Sequence, residues 1–393
     1  MALDQDNDPA FLVFRGGPFY NLQLKTNLLD GTDLKPLPRA LILTAIAWGI
    51  PLLLTLVAGT AFGTLEARPY LLDPGTFSRF FLAIGLFIFA ETQIENHLSD
   101  AVRYFFTGHL LDEKSLVNAK AAIRKASERL DARLGETICL TLAILASIFL
   151  ISNMQEQASS SWAMTINDEG RSLSLAAWWS IIISNTLFWF LLLRAVLRHI
   201  VWALLLRDFS RLRTRLVATH PDSHAGLSFV GRYPNGYILF TVAVGSVVAG
   251  TLTHQVLHGT VTATAFGSIM GLWLAVIFAY FGIPLIGFAR VLGKLKRQTL
   301  LAASARATDY QRQSERNTLG KNVVGDGEKT IKGDEIPDPG KLYDAAKKLS
   351  PMLVTRSTLV PVSAAALLPF VAIGLTQLPM KELAPILKRL LLL

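Results

Sequence analysis

The chain has 393 residues, a formal net charge of +9, 51% hydrophobic and 17% charged residues, and a mean hydropathy of +0.41. A soluble domain carries about a quarter charged residues, and several apolar runs here approach the ~20 residues that cross a bilayer, so a soluble globular fold is excluded. One cysteine, Cys139, excludes an internal disulfide and any Cys-based metal centre.

The first 38 residues are polar and mixed, without a cleavable signal pattern, so the first span is expected to act as an uncleaved anchor. Spans are predicted at about 40–63, 79–98, 136–153, 173–194, 236–256, 262–289 and 357–378. The second has a short clean apolar part, Phe80–Ala90, and Pro361 and Pro369 interrupt the last. The fold class is therefore all-α: a polytopic transmembrane bundle of six or seven spans with cytoplasmic helical extensions.

Basic residues orient it. Segments 98–135 and 194–232 hold seven Lys and Arg each and 290–356 holds fourteen, against two in 64–79, one in 154–172 and none in 254–261. This bias places the N-terminus in the cytoplasm and explains the positive charge without nucleic acid. Lys381, Lys388 and Arg389 would then lie outside, unless 357–378 re-enters instead of spanning.

The parts are a cytoplasmic segment 1–38, a bundle 39–292 with cytoplasmic helices in 98–135 and 194–232, a cytoplasmic helix and linker 293–356, and a C-terminal part 357–393. Residues 112–133 have helical periodicity and a mixed-charge face. The fourth and sixth spans are expected to continue beyond the membrane, the latter through Lys294–Arg316. Residues 318–340 read as a Gly-, Asp- and Lys-rich linker, and Met380–Leu393 as an amphipathic interfacial helix touching membrane lipids.

Polar residues inside spans are expensive and mark candidate sites. Glu91 lies ~18 Å along the second span from Arg79, with Glu95 one turn deeper on the same face and His97 near the boundary. Arg194 and Arg198 share that four-residue spacing on the fourth span. Three readings stand: ion pairs zipping two helices together, a proton or cation path through the carboxylates, or an early-ending span that leaves them in water.

Residues 220–232 place His220, Asp222, His224 and Gly226 in a polar segment between apolar helices. Imidazole and carboxylate suit a divalent metal such as zinc, but the spacing matches no metal motif. The competing reading is a turn made by Pro221, Asp222 and Gly226. The His-Pro-Asp tripeptide also occurs in chaperone J-domains, whose flanking soluble helices are missing here. His254 and His258 stand four apart at the other end of the fifth span; position 255 is Gln, so the Glu of a zinc-protease motif is absent. Gly320–Thr330 echoes a phosphate loop, but Glu328 breaks the Gly-Lys-Thr. No cofactor beyond that divalent metal is suggested.

Small residues recur every four positions: Gly245, Ala249 and Thr253 in the fifth span, and Ala263, Gly267, Gly271, Ala275 and Ala279 in the sixth. Such stripes admit close helix packing. A tight hairpin between these two spans is expected, with a homo-oligomer seam as the alternative.

Phe11-Leu-Val-Phe-Arg-Gly-Gly-Pro-Phe-Tyr-Asn-Leu-Gln, the Leu-Leu-Asp-Pro-Gly-Thr-Phe-Ser-Arg-Phe approach to the second span, and His-Pro-Asp-x-x-x-Gly-Leu-x-Phe after the fourth are short motifs. Together they resemble a group of uncharacterised bacterial multi-pass inner-membrane proteins. Members more often carry Arg-Ala-Gly-Gly-Leu after His-Pro-Asp where this chain has Ser-His-Ala-Gly-Leu, which sets His224 apart. The resemblance implies a bacterial inner membrane and brings no activity. The leading expectation is transport or gating of a small solute or ion through Glu91 and Glu95. The alternatives are a sensor or scaffold recruiting a cytoplasmic protein, and a metal-dependent enzyme on lipid head groups.

Overall fold

The computed structural model describes residues 11–31, 33–63, 69–157, 162–167, 170–257, 262–325, 338–375 and 380–391. His258 and much of the stretch read as a linker (326–337) lie outside them. The described chain is almost entirely helical, and seven of its helices are long and apolar enough to cross a membrane.

Helix α1 (Pro18–Lys25) precedes the first span, α2 (Pro36–Val57). The second span, α3 (Pro74–Thr107), runs well past position 98, where polar residues suggested an end. Its buried face (Glu91, Ile94, Glu95, Leu98, Ala101, Val102, Phe105) continues the helical repeat, so packing sustains the helix beyond its apolar stretch.

Next come α4 (Glu113–Asp131) and α5 (Arg133–Gln157). Asp112 caps α4 by accepting from Ser115 N at 2.7 Å. Its buried face, Ser115, Ala119, Ile123, Ala126 and Leu130, packs on α6 (Leu175–Phe209). Between α5 and α6 sits an antiparallel hairpin, β1 (Met164–Asn167) and β2 (Gly170–Leu173), with Met164 opposite Leu173.

A 3-10 segment, Val230–Tyr237, leads into α7 (Ile238–Leu257). Helix α8 (Ala263–Gly282) passes through a break at Ile283–Leu285, which contains Pro284, into α9 (Ile286–Leu319). Then follow α10 (Gly340–Lys348), α11 (Arg356–Gly374) and α12 (Met380–Leu390). Lys296 Nζ donates to the carbonyls of Lys347 (2.9 Å) and Leu349 (2.8 Å), which ties α9 to the end of α10.

The surface inverts the soluble pattern. Leu53, Ile148, Phe149, Leu272 and Leu368 are exposed, while Arg39, Arg194 and Arg198 are among the most buried side chains. Apolar outside and charge inside is the distribution a lipid solvent selects.

Three spans contain a π-helical stretch: Ala45–Gly49 in α2, Phe77–Ala83 in α3 and Ser180–Asn185 in α6. A wider turn breaks the usual backbone ladder and leaves carbonyls to be satisfied elsewhere. Side chains do this for α2: Ile46 O accepts from Trp179 Nε1 (2.9 Å), Ala47 O from Ser184 Oγ (2.5 Å), and Trp48 O from Tyr70 OH (3.1 Å).

The small-residue stripes find other partners than each other. Helix α7 packs chiefly on α11, where a Cβ at Gly245 would stand 3.2 Å from Ala366 O. Buried Ala249 lies on the same helix. Gly267 and Gly271 face Ile386 and Leu390 of α12, while Ala275 follows one turn later on α8. The tight hairpin of spans five and six is therefore replaced by contacts with two later helices. A four-residue stripe marks a smooth face without naming what covers it.

Candidate functional site: a buried charge network under the N-terminal segment

At one end of the bundle, residues 11–19 enter between the spans, with Phe11, Val13 and Phe14 fully buried. The turn that admits them needs glycine. Gly16 and Gly17 have φ of 121° and 86°. A Cβ at Gly16 would collide with Asp131 Oδ1, and one at Gly17 would stand 2.8 Å from Glu136 Oε1.

Three carboxylates and four guanidiniums meet there. Glu91 takes Arg39 Nη2 at 2.5 Å on Oε2 and Arg194 Nη1 at 2.6 Å on Oε1. Glu136 Oε1 takes Arg194 Nε at 2.8 Å and Arg198 Nη2 at 2.9 Å. Glu95 Oε1 takes Arg15 Nε at 2.9 Å, and its Oε2 accepts from Phe14 N at 3.0 Å. The backbone of the segment is bonded into the same network: Phe19 N donates to Glu136 Oε2 (2.7 Å), and Arg198 Nη2 to Gly16 O (2.8 Å). The Arg194 guanidinium also lies over the rings of Phe14 (5.6 Å) and Phe19 (5.2 Å).

Each acid thus accepts at least two charge-assisted bonds. Bonds of this kind are shorter and stronger than those between neutral groups. Removing one partner of such a buried set leaves a stranded charge, which costs about 3–5 kcal/mol. The arrangement is a latch that fastens residues 11–19 to α3, α5 and α6.

The structure brings Glu91, Glu95, Arg194 and Arg198 together, but not as two matched rungs. Only Glu91–Arg194 pairs directly; Glu95 goes to Arg15 and Arg198 to Glu136. His97 lies outside the network: two residues beyond Glu95 is about 200° around the helix, and it is exposed, with Nδ1 3.0 Å from Gln93 O. Arg15, Arg39 and Glu136 were missed in the sequence. Glu136 opens a predicted span and Arg39 flanks one, positions where charge is ordinary.

The His220–Gly226 segment is a separate turn. Asp222 accepts from the amides of His224 (2.8 Å), Gly226 (3.1 Å) and Ser228 (3.1 Å), and its Oδ1 lies 2.8 Å from His220 Nδ1. Burial opposes ionisation of Asp222, but these amides and His220 outweigh it and lower its pKa to about 2. Both His224 nitrogens face carbonyls, Asp222 O at 2.6 Å and Met352 O at 3.0 Å. Ser223, Ala225 and Gly226 have positive φ. These residues are consumed by the turn and by its attachment to the segment before α11. Among the described residues no group of three or more His, Cys, Asp or Glu side chains is placed to hold a metal ion.

A second polar site lies at the opposite end, beside the β-hairpin. Asp73 caps α3 through Gly75 N (2.9 Å) and Thr76 N (3.3 Å), and its Oδ2 accepts from Trp162 Nε1 (3.0 Å). Trp162 is fixed by Ser174, which donates to its carbonyl (2.7 Å) and caps the next helix. Burial beside Asp73 raises the pKa of the neighbouring Tyr70 phenol. Asp73, Trp162, Arg79 and Ser180 line a cavity of about 140 Å³.

Comparison with family models, with curated proteins and with solved structures finds no match for this chain.

Proposed function

We propose that the chain is a gated membrane protein that passes a small solute or ion, with residues 11–19 as a releasable seal at the cytoplasmic end of the bundle, in a bacterial inner membrane. The observation that carries this is the way the segment is held. It is fastened by charge-assisted bonds from Arg15, Arg194, Arg198, Glu95 and Glu136, contacts whose strength depends on each partner keeping its charge. The basic bias of the loops supports the cytoplasmic placement.

In this reading Glu91 and Glu95 are not the conducting path. Glu95 holds the seal, and Glu91 holds Arg39 and Arg194, which back it. The test is flux through the purified protein in liposomes. Arg15→Gln and Glu95→Gln should release the seal and raise flux of small ions above wild type. Folded variants that pass no more than protein-free liposomes would sink this reading.

A second reading, a scaffold that recruits a cytoplasmic protein, draws on the length of α9 and the exposed Leu301 and Leu319 along it. A phenotype that survives replacement of the spans by unrelated ones would favour it.

A further inference from the structure

Arg79, which is half-buried, differs from the arginines of the charge network. Arg39, Arg194 and Arg198 each meet a carboxylate within 2.9 Å. Arg79 forms no ion pair among the described residues, and its Nε is buried without a hydrogen-bond partner. Its guanidinium lies by two aromatic rings, 6.0 Å from the centre of Phe80 and 5.8 Å from that of Phe188. Asp73 acts on Arg79 at longer range than an ion pair, which leaves the buried Nε as a donor in want of an acceptor.

The cavity beside it has room for one. Its volume of about 140 Å³ matches a cavity that holds a benzene-sized molecule, about six heavy atoms. Ser180 lines it, is 4% exposed, and has a buried Oγ without a partner. The cavity lining also includes the apolar side chains of Phe80, Leu150, Ala177 and Ile181. Asp73 also borders the cavity, but its oxygens are already taken by Gly75 N, Thr76 N and Trp162 Nε1. Its negative charge disfavours a dianion.

We propose that this cavity binds a short-chain monocarboxylate, with the carboxylate on Arg79 and Ser180 and the alkyl group against Phe80, Leu150 and Ile181. The unmet donors Arg79 Nε and Ser180 Oγ take the carboxylate, and the resident Asp73 disfavours a second negative charge on the ligand. The apolar walls select a ligand with a hydrocarbon end over a bare halide. The site goes beyond the reading of the seal and is tested without flux, so either idea can fail alone.

The test is calorimetric titration of the full-length protein in detergent with propionate, using chloride and sulfate for comparison. The buffer is a sulfonate too large for the cavity. Saturable propionate binding is expected, tighter than chloride and much tighter than sulfate. Loss of a charge-assisted bond in Arg79→Gln should weaken it about ten- to hundredfold. Arg79→Lys should keep part of the affinity, and Ser180→Ala should cost less than Arg79→Gln. Without ligand, Arg79→Gln should melt at a higher temperature than wild type, since it removes a half-buried charge that forms no ion pair among the described residues. No saturable heat at millimolar propionate with a cooperatively melting protein would overturn the proposal. So would unchanged binding in Arg79→Gln, or a lower melting temperature of that variant, which would mean the protein already supplies a partner. Chloride binding as tightly as propionate would overturn the carboxylate class, and sulfate doing so would overturn the choice of a single charge.

Discussion

The two ends of the bundle treat buried charge in opposite ways. At the N-terminal end Arg39, Arg194 and Arg198 share Glu91 and Glu136, and Arg15 takes Glu95. At the hairpin end Arg79 stands against aromatic rings with a cavity beside it. Chemically similar guanidiniums are paired with carboxylates at one end, while at the other Arg79 forms no ion pair among the described residues. A buried charge is thus not by itself a sign of function. What separates a fastening from a binding site is whether the protein already supplies the partner.

The largest effect that would break this contrast is expected at Arg194. Arg194→Gln takes a charged partner from both Glu91 and Glu136, leaving them Arg39 and Arg198, and should cost about 3–5 kcal/mol, read by equilibrium unfolding in mixed micelles. The double variant Glu91→Gln/Arg194→Gln should lose less than the sum of the two single ones. If Arg194→Gln proves as mild as an exposed substitution, the network is not the paired end described above.

A smaller effect tests the seal. Gly16→Ala forces a Cβ toward Asp131 at a φ of 121°, and should cost about 1–3 kcal/mol. Amide exchange at residues 11–19 should speed up while α3 and α6 keep their protection. Equal loosening of those spans would mean that the segment is part of the core and not a releasable piece.

The smallest effect extends the comparison outside the spans. The pKa of Asp222 is depressed when folded to about 2, below its ordinary 3.8. Its ionised form therefore adds stability above about pH 4, and the gain is lost as pH falls toward 2. Reduced for solvent screening at this partly exposed group, the shift corresponds to about 1–2 kcal/mol. Asp222→Asn should be less stable than wild type at pH 6, with the two converging near pH 2. A constant difference across that range would move the cause from the charge to the shape of the turn.

The spans were legible because membrane thickness sets a length and lipid sets a composition, and both are local. Glu91, Glu95, Arg194 and Arg198 were legible because charge inside an apolar run is conspicuous. Their partners were not. Arg15 sits in a polar segment, and Arg39 and Glu136 sit at span boundaries, where charge is the rule. Pairing across 80 or more residues, as between Arg15 and Glu95, leaves no local trace. The π-helical stretches were equally silent, since no residue type demands one. Arg79 was visible only as the charged start of the second span. Its isolation depends on where Phe188 and Asp73 lie in space.

The order of synthesis gives the seal a consequence for assembly. Gly16 and Arg198 are bonded across 182 positions of sequence. At roughly 5–20 residues per second, the segment waits about ten to forty seconds before its last partner is made. During that interval Arg15 has no Glu95 for the early part, and Phe11 and Phe14 have no closed bundle to enter. The first residues out are thus among the last to settle. A chain interrupted before its fourth span would carry residues 11–19 without the Arg194 and Arg198 that bond them.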